Sequence, residues 1–278
     1  GREHKILAAL APVWDKAPRP LVHCEDESVL GAPFYVMERR TGIILRRKMP
    51  EGLFDTAAVG KLADAFVETL VQLHELRYRD IGLGDLGKPE GYVERQVTGW
   101  AKRYEAAKTD DIPEVERAVA WLSANMPPSP PATLIHNDFK YDNIVLDPND
   151  PTKITGVLDW EMSTVGDPLM DLGTALAWWV ESKDPAPLQQ FAFGPTNIAG
   201  SPTRREIAEA YAARRSGISL DNIRFYYAFS LFKNAVVAQQ IYARYKKGLT
   251  KDERFAAMIF GVRLLSEGAV RAIETGEL

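Results

Sequence analysis

The sequence predicts an α+β fold with a small, β-containing N-terminal part and a larger, mainly helical C-terminal part. Two short runs rich in strand-forming residues, 19–24 and 34–38, lie near the start of the chain. Three further short strands are expected in the middle of the chain, at 133–135, 144–146 and 153–158. The rest of the C-terminal part consists mostly of segments with the apolar spacing of helices.

The N-terminal part is expected to begin with a helix and to continue as a hairpin. Apolar residues recur at helical spacing over 3–10, and Pro12 marks the end of that helix. The apolar runs 19–24 and 34–38 flank an acidic, glycine-containing turn at 25–31. This arrangement predicts a β-hairpin.

The helical part is expected to start with three amphipathic helices, at 57–76, 92–107 and 113–124. Proline at the first position of the third helix is typical of a helix N-terminus. Four prolines within 127–131 then end that helix and lead into the first central strand. After residue 167 the helical pattern returns, and we expect helices at 169–181, 203–215, 221–246 and 251–274.

Composition narrows the classes of partner. With 278 residues, of which 46% are hydrophobic, the chain can bury a substantial core. The formal net charge of -4, with both signs interspersed, provides no overall attraction for nucleic acid or anionic membranes, so we expect neither partner. The single cysteine, Cys24, excludes an intrachain disulfide and suits a reducing interior, and we expect a cytoplasmic protein.

A set of residues suited to phosphoryl transfer occupies the central loops. Asp138 and Asn143 lie five positions apart between two predicted strands, and Asp159 directly follows the third strand. Phosphoryl transfer needs a carboxylate that orients and deprotonates the attacking hydroxyl, and it needs oxygen ligands for the Mg²⁺ that bridges the nucleotide phosphates. Asp138, Asn143 and Asp159 supply that set.

These motifs resemble the aminoglycoside phosphotransferase and choline kinase superfamily, a branch of the protein-kinase-like fold. The segment 136–143, His-Asn-Asp-Phe-Lys-Tyr-Asp-Asn, is similar to the H-R-D-x-x-x-x-N catalytic loop of protein kinases, and 159–161 stands where those enzymes have D-F-G. The segment 167–173 looks like the family's G-D-P-x-x-D-L-A/G motif, and 34–39 resembles the strand that leads into the adenine-binding hinge. Among subfamilies, the run 134–173 looks closest to kinase-like domains associated with acyl-CoA dehydrogenases.

The resemblance implies a bilobal protein-kinase-like fold. The remainder of the N-terminal lobe and the hinge would occupy 1–40, and a helical C-terminal lobe with the catalytic and metal-binding loops would occupy 41–278. The family's phosphate-covering loop and its ATP-binding lysine precede the helix that contains Glu3, so we expect the N-terminal lobe to be truncated in this sequence. The resemblance also implies ATP and Mg²⁺ as cofactors and a small-molecule hydroxyl compound as the acceptor.

Roles follow from the resemblance position by position. Asp138 would be the catalytic base, and Lys140 would point toward the transferred phosphate or the acceptor. Asn143 and Asp159 would hold the metal. The supporting residues would be His136, Asp167 and Asp171, with Asp167 as the N-cap before a proline. The nucleotide-binding positions would be Glu3, which matches the helix glutamate that pairs with the ATP-binding lysine, and Met37, Glu38, Arg39 and Arg40 near the hinge.

Some interpretations stay open. A nucleotide-binding pseudokinase or scaffold is the main alternative to an active enzyme, and a metal-dependent hydrolase is disfavoured because none of the four histidines is spaced as a metal pair. The acceptor, the oligomeric state and the pathway are not determined by the sequence. Aminoglycosides would need a strongly acidic pocket, and choline-like acceptors an aromatic or acidic cage.

The aromatic pairs Trp178-Trp179 and Tyr226-Tyr227 are expected to pack in the core.

Overall fold

The computed structural model describes residues 1–47, 51–190 and 192–278. Over these ranges the helices are α1 (Arg2–Leu10), α2 (Glu27–Leu30), α3 (Thr56–Glu75), α4 (Tyr92–Ala107), α5 (Pro113–Ala124), α6 (Pro168–Trp178), α7 (Ala186–Gln189), α8 (Arg204–Arg214), α9 (Ile223–Lys246) and α10 (Met258–Thr275). The strands are β1 (Pro20–Cys24), β2 (Phe34–Met37), β3 (Ile43–Ile44), β4 (Thr133–Ile135), β5 (Ile144–Leu146), β6 (Ile154–Val157) and β7 (Thr164–Gly166). Short strands accompany a larger helical body, and the α+β prediction is confirmed.

The N-terminal part consists of α1 and a hairpin. Helix α1 buries its apolar face in the main core. Strands β1 and β2 pair antiparallel, with Cys24 opposite Phe34, and the predicted hairpin is confirmed. The segment between the strands contains α2 in addition to a turn. Its N-cap residue, Asp26, accepts a hydrogen bond from the backbone N–H of Ser28 at 2.8 Å, which stabilises the first turn of this short helix.

Two small antiparallel sheets position the central loops. Strand β5 lies between β3 and β6, with Ile144 opposite Val157, and β4 pairs with β7, with Leu134 opposite Val165. The loop that contains Asp138 therefore connects one sheet to the other. The segment that begins at Asp159 connects them a second time, from β6 to β7. Both connections leave from strand ends, where side chains can converge.

The helical body is organised around α9. This helix packs against α4, α5, α6 and α10. Nearly every residue over 223–236 is buried, including the apolar residues on all sides of the helix, which is typical of a central helix. The predicted helix 251–274 begins as a 3₁₀ turn, Glu253–Ala257, and becomes α-helical only at Met258. In the described ranges, every helix is too short or too polar to cross a lipid bilayer.

Candidate active site

The Asp138 carboxylate is held by three side chains. Its Oδ2 atom accepts hydrogen bonds from Lys140 Nζ at 2.6 Å and from Asn143 Nδ2 at 3.0 Å. Its Oδ1 atom accepts a hydrogen bond from Trp178 Nε1 at 3.1 Å. The side chain nevertheless keeps 21% of its surface exposed. The carboxylate is thus fixed in orientation and still reachable by a small molecule.

Trp178 was expected in the core, and this expectation is wrong. Helix α6 ends at Trp178, and the chain becomes extended at Trp179, so the helical spacing no longer decides which way these two rings point. Trp179 is buried, whereas Trp178 is half-buried and faces the predicted catalytic loop, 136–143. The ammonium nitrogen of Lys140 lies 4.7 Å from the centroid of the Trp178 ring, a cation–π distance. Trp178 therefore contacts both predicted catalytic residues.

Asn143 and Asp159, the predicted metal ligands, are held near each other by the backbone. The N–H of Leu158 donates to the carbonyl oxygen of Asn143 at 2.8 Å, which ties the residue before Asp159 to the catalytic loop. The Asn143 amide group donates through Nδ2 to Asp138, so its Oδ1 atom is left to accept. Asp159 is exposed, and its carboxylate forms no hydrogen bond or ion pair with any described residue. Carboxylate and amide oxygens are ligands that suit Mg²⁺.

The Asp171 side chain supports the backbone of the predicted catalytic loop by hydrogen bonds. This carboxylate is fully buried and accepts hydrogen bonds from the backbone N–H groups of His136, at 2.6 Å, and of Asn137, at 2.7 Å. His74 Nε2 lies 3.1 Å from the same carboxylate. Asp171 is thus oriented toward the loop from within α6 and has no open side for a ligand.

His136 connects the two predicted ligand loops. Its Nε2 atom donates to the Leu158 carbonyl oxygen at 2.9 Å, and its Nδ1 atom accepts from the Asp138 backbone N–H at 3.3 Å. One ring nitrogen donates and the other accepts, which is the pattern of a neutral imidazole. Complete burial lowers the pKa of His136 and favours that neutral form. The geometry fits a structural partner of the loop.

Asp167 caps the N-terminus of α6. Its Oδ1 atom accepts a hydrogen bond from the Leu169 backbone N–H at 2.8 Å, and its Oδ2 atom accepts one from the Tyr226 hydroxyl at 3.0 Å. The residue is 1% exposed, and burial raises its pKa. One oxygen therefore caps α6, and the other joins α6 to α9.

Of the predicted nucleotide-binding residues, Glu3 acts on the same side chain, Tyr35, as Asp159. Burial, a hydrogen bond to the Glu3 carboxylate and the charge of Asp159 together raise the pKa of Tyr35 well above its usual value. Tyr35 is thus influenced by both carboxylates. At the end of β2, Met37 is 40% exposed, and Arg39 is also exposed.

Glu38 and Arg40 are engaged with the protein itself. Arg40 Nε lies 2.8 Å from Glu38 Oε1. The guanidinium group of Arg40 also donates to the backbone carbonyl oxygens of Asp15, at 2.5 Å, and Ala17, at 2.6 Å. In this structure Arg40 ties the segment after β2 to the chain that follows α1.

Besides Trp178, one further residue of the site, Lys233, was not expected from the sequence. Lys233 on α9 is 6% exposed, and its Nζ atom donates to the Asn137 carbonyl oxygen at 2.9 Å. Asn137 itself has a left-handed backbone with φ of 67°, a conformation that Asn tolerates better than most residues. A lysine within the apolar stretch 225–238 is a signal that could have been noticed, because lysine is rarely fully buried without a partner.

The arrangement of helices and strands, together with a positioned carboxylate on the loop between the two central sheets, is that of a kinase-like phosphotransferase fold. The model of the phosphotransferase enzyme family matches residues 1–209, and the chain belongs to this family. The predicted resemblance, including its acyl-CoA-dehydrogenase-associated branch, is confirmed by the relatives. The human protein acyl-CoA dehydrogenase family member 11 is 38% identical over 255 residues, which are 91% of this chain. The chain spans about a third (32%) of that relative's length.

Solved structures share the fold. The crystal structure of a protein from Ralstonia eutropha JMP134, assigned as an aminoglycoside phosphotransferase, matches with a TM-score of 0.87 at 29% identity, over 99% of this chain and 83% of that one. An aminoglycoside phosphotransferase in complex with GDP and kanamycin matches with a TM-score of 0.65 at 16% identity, over 97% of this chain and 82% of that one. At this identity, the second match shows the shared fold alone. The bilobal, protein-kinase-like architecture predicted from the sequence is confirmed.

Proposed function

We propose that this chain transfers the γ-phosphoryl group of ATP to a hydroxyl group of a small molecule, with Asp138 as the base. The observation that carries the proposal is the setting of the Asp138 carboxylate. Lys140, Asn143 and Trp178 fix it by hydrogen bonds, and a fifth of its surface stays open. A fixed, accessible carboxylate can accept a hydrogen bond from an incoming hydroxyl and take its proton as the phosphoryl group is transferred.

The proposed metal position fits the residues around it. The Asn143 amide oxygen and the Asp159 carboxylate have no hydrogen-bond donor among the described residues, and the bond from Leu158 to Asn143 keeps the two loops in register. These oxygens would hold Mg²⁺. When bound, Mg²⁺ offsets negative charge on the nucleotide phosphates.

Lys140 has the proposed role of placing a positive charge beside the transferred phosphoryl group. Its ammonium group is paired with Asp138 and lies against the Trp178 ring, and only 14% of its side chain is exposed. A cation held there can contact an oxygen of the transferred group while Asp138 contacts the acceptor hydroxyl. Glu3 and the hinge residues Met37, Glu38 and Arg39 are proposed on the nucleotide side, whereas Arg40 would act by holding the hinge segment.

The test is the substitution Asp138→Asn in the protein at its full native length, with ADP release measured against hydroxyacyl compounds, aminoglycosides and amino alcohols. We expect acceptor-dependent ADP release to fall by about a hundredfold or more, since general-base catalysis typically contributes that much. Asp142→Asn is the matched control, because Asp142 lies on the same loop and pairs with the exposed Arg46 instead of the site. Unchanged transfer by Asp138→Asn would refute the assignment. Nucleotide binding by the unmodified protein without turnover of any acceptor would favour the pseudokinase alternative.

A further inference from the structure

A cavity of about 470 Å³ opens beside the catalytic loop. One of its walls is formed by α4 and the loop before it, and another by residues that follow Asp159. Toward the reaction centre it is lined by Asn137 and Lys233. Asp138 does not line the cavity itself, but it directly follows Asn137 and its charge acts on Lys233, so the cavity lies near the proposed base.

The charges around the cavity are strongly unequal. A single carboxylate, Glu161, faces five cationic side chains, which are Arg2, Lys88, Arg95, Arg103 and Lys233. In the part of the chain that the structure describes, none of these five forms an ion pair with a carboxylate. The chain as a whole has a formal net charge of -4, so this concentration of positive charge runs against the overall sign. Unpaired cations around a concave surface attract anions.

Lys233 is the buried cation of the cavity. Its ammonium group has three donors, and one of them goes to the Asn137 carbonyl oxygen at 2.9 Å. The Trp100 ring centroid lies 6.0 Å from the nitrogen, and no other hydrogen-bond acceptor contacts it among the described residues. Burial lowers the pKa of Lys233 even though the charge of Asp138 opposes the effect. A buried cation with unused donors is stabilised when an anionic group binds beside it.

The guanidinium groups of α4 extend this cationic surface toward solvent. Arg95, Trp100 and Arg103 line the same cavity from one face of the helix. Arg95 also donates to the backbone carbonyl oxygens of Lys88 and Glu90, which holds it at the start of α4. The Arg103 guanidinium carbon lies 4.4 Å from the centroid of the Trp100 ring. A stacked, planar guanidinium group presents its donors in the geometry that carboxylate and phosphate oxygens accept.

We propose that this cavity is the acceptor site and that it selects hydroxyl compounds that carry an anionic group, either a carboxylate or a phosphate. The inference rests on the proposed function, since the hydroxyl would be presented to Asp138 while the anion is bound by Arg95, Arg103 and Lys233. Molecules with several ammonium groups, such as aminoglycosides, are disfavoured by the same charges. Trp100 and Tyr92 provide apolar surface for the carbon skeleton between the two groups.

The first experiment compares acceptors that have an anionic group with acceptors that lack it, using the protein at its full native length. The pairs are 3-hydroxybutyrate with its uncharged amide, and glycerol 3-phosphate with glycerol, with ethanolamine as a cationic alcohol. We expect kcat/KM for ADP release to be at least about tenfold higher for one acid than for its neutral partner, because one charge-assisted hydrogen bond is worth that much. The two pairs distinguish a carboxylate from a phosphate as the recognised group. Equal rates within both pairs, or faster transfer to ethanolamine, would overturn the proposal.

The second experiment uses variants. Arg103→Gln should raise the KM for the preferred acid by about tenfold and leave the KM for ATP unchanged. Lys102→Gln is the matched control, since Lys102 is the exposed neighbour on α4 and does not line the cavity. Lys233→Met should also raise this KM, provided that its thermal midpoint shows a folded protein. Equal KM values in Arg103→Gln and Lys102→Gln would contradict the inference.

A binding measurement separates this inference from the proposed function. Asp138→Asn keeps the cavity and removes the proposed base, so calorimetric titration with 3-hydroxybutyrate, glycerol 3-phosphate and their neutral partners tests recognition without turnover. Stronger binding of an acid than of its neutral partner supports the anionic site even if Asp138→Asn retains transfer activity and the proposed base is wrong. Loss of transfer in Asp138→Asn, together with equal binding of each acid and its neutral partner, would support the proposed function and refute the selection of an anionic acceptor.

Discussion

The Asp171 carboxylate accepts a hydrogen bond from the backbone N–H of His136 at 2.6 Å, so a side chain of α6 holds the main chain of the predicted catalytic loop. The same carboxylate also accepts the N–H of Asn137 and lies against His74. Each of the two carboxylate oxygens accepts one hydrogen bond from the backbone of this loop. This relationship predicts that the geometry of the site depends on a residue that contacts no substrate.

Asp171→Asn should destabilise the protein by about 2 to 4 kcal/mol, because the amide NH₂ group would face backbone donors in a buried position. We also expect a lower kcat, since the loop that carries Asp138 would lose a support. Chemical denaturation and ADP release measure the two effects. Asp142→Asn, which removes only an ion pair with an exposed arginine, should change the free energy of unfolding by less than about 1 kcal/mol. A similar loss of stability in both variants would contradict this prediction.

Trp178 offers a more selective test of the site. Trp178→Phe removes the Nε1–H donor to Asp138 and keeps an aromatic ring beside Lys140. A hydrogen bond to a charged group is worth about 1.5 to 3 kcal/mol, so kcat/KM for ADP release should fall roughly tenfold or more.

The adjacent tryptophan provides the control for this prediction. Trp179 Nε1 donates to the Pro202 carbonyl oxygen at 2.9 Å, away from Asp138. Trp179→Phe should therefore lower stability by about 1 kcal/mol and leave kcat/KM nearly unchanged. If the two variants have equal activity, the indole of Trp178 does not position the base.

Some elements of the fold follow from local features of the sequence, and others form only through pairing with distant strands. The expected bounds of α4 and α5 agree with the structure, because α4 has a clear helical period and α5 begins with a proline. Those of β4 and β5 agree because each is a short run rich in strand-forming residues with a proline nearby. Strands β3 and β7 were not expected. They have only two and three residues, too few to show a period, and they form because β5 and β4 pair with them from elsewhere in the chain.

The same distinction applies to the site. Asp138, Asn143 and Asp159 were found as candidates because they lie in short, recognisable motifs. Trp178 follows Asp138 by 40 residues and Lys233 follows Asn137 by 96 residues, and each is brought to the loop by a helix whose packing the sequence does not reveal. Periodicity assigned Trp178 to the core because it describes a continuous helix, and α6 ends at that residue.

The left-handed backbone of Asn137 should affect stability in a way that can be separated from the contacts of its side chain. Its φ of 67° is unfavourable for a residue with a Cβ atom, and its Nδ2 atom donates to the Met162 carbonyl oxygen at 3.0 Å. Both Asn137→Gly and Asn137→Ala lose that hydrogen bond, but only alanine retains the steric cost of the left-handed backbone. The glycine variant should therefore be more stable than the alanine variant by about 1 kcal/mol in denaturant unfolding. Equal stabilities would indicate that the loop changes conformation in both variants.

The buried histidines predict how stability depends on pH. Burial lowers the pKa of His74, although the Asp171 carboxylate opposes this effect, and burial likewise lowers the pKa of His136. Between these lowered values and the usual 6.5, only the unfolded chain binds the protons, so the free energy of unfolding must fall as the pH drops below 6.5. Each histidine contributes up to about 1.4 kcal/mol between pH 7.5 and 5.5. The pKa of Asp171 is lowered from 3.8, so its own contribution is lost at more acidic pH and does not enter this window.

Denaturant unfolding at several pH values measures this slope. His74→Gln removes one of the two groups and should reduce the pH-dependent loss by about half, even though the variant is less stable at every pH because Tyr211 and Asp171 lose a partner. His23→Gln is the control, since His23 lies half-buried on β1 outside this network. The pH-dependent loss should be smaller in His74→Gln than in this control. An unchanged slope in His74→Gln would mean that folding does not lower the pKa of His74. A neutral ring that donates to Asp171 and accepts from Tyr211 would then be the wrong description of this support.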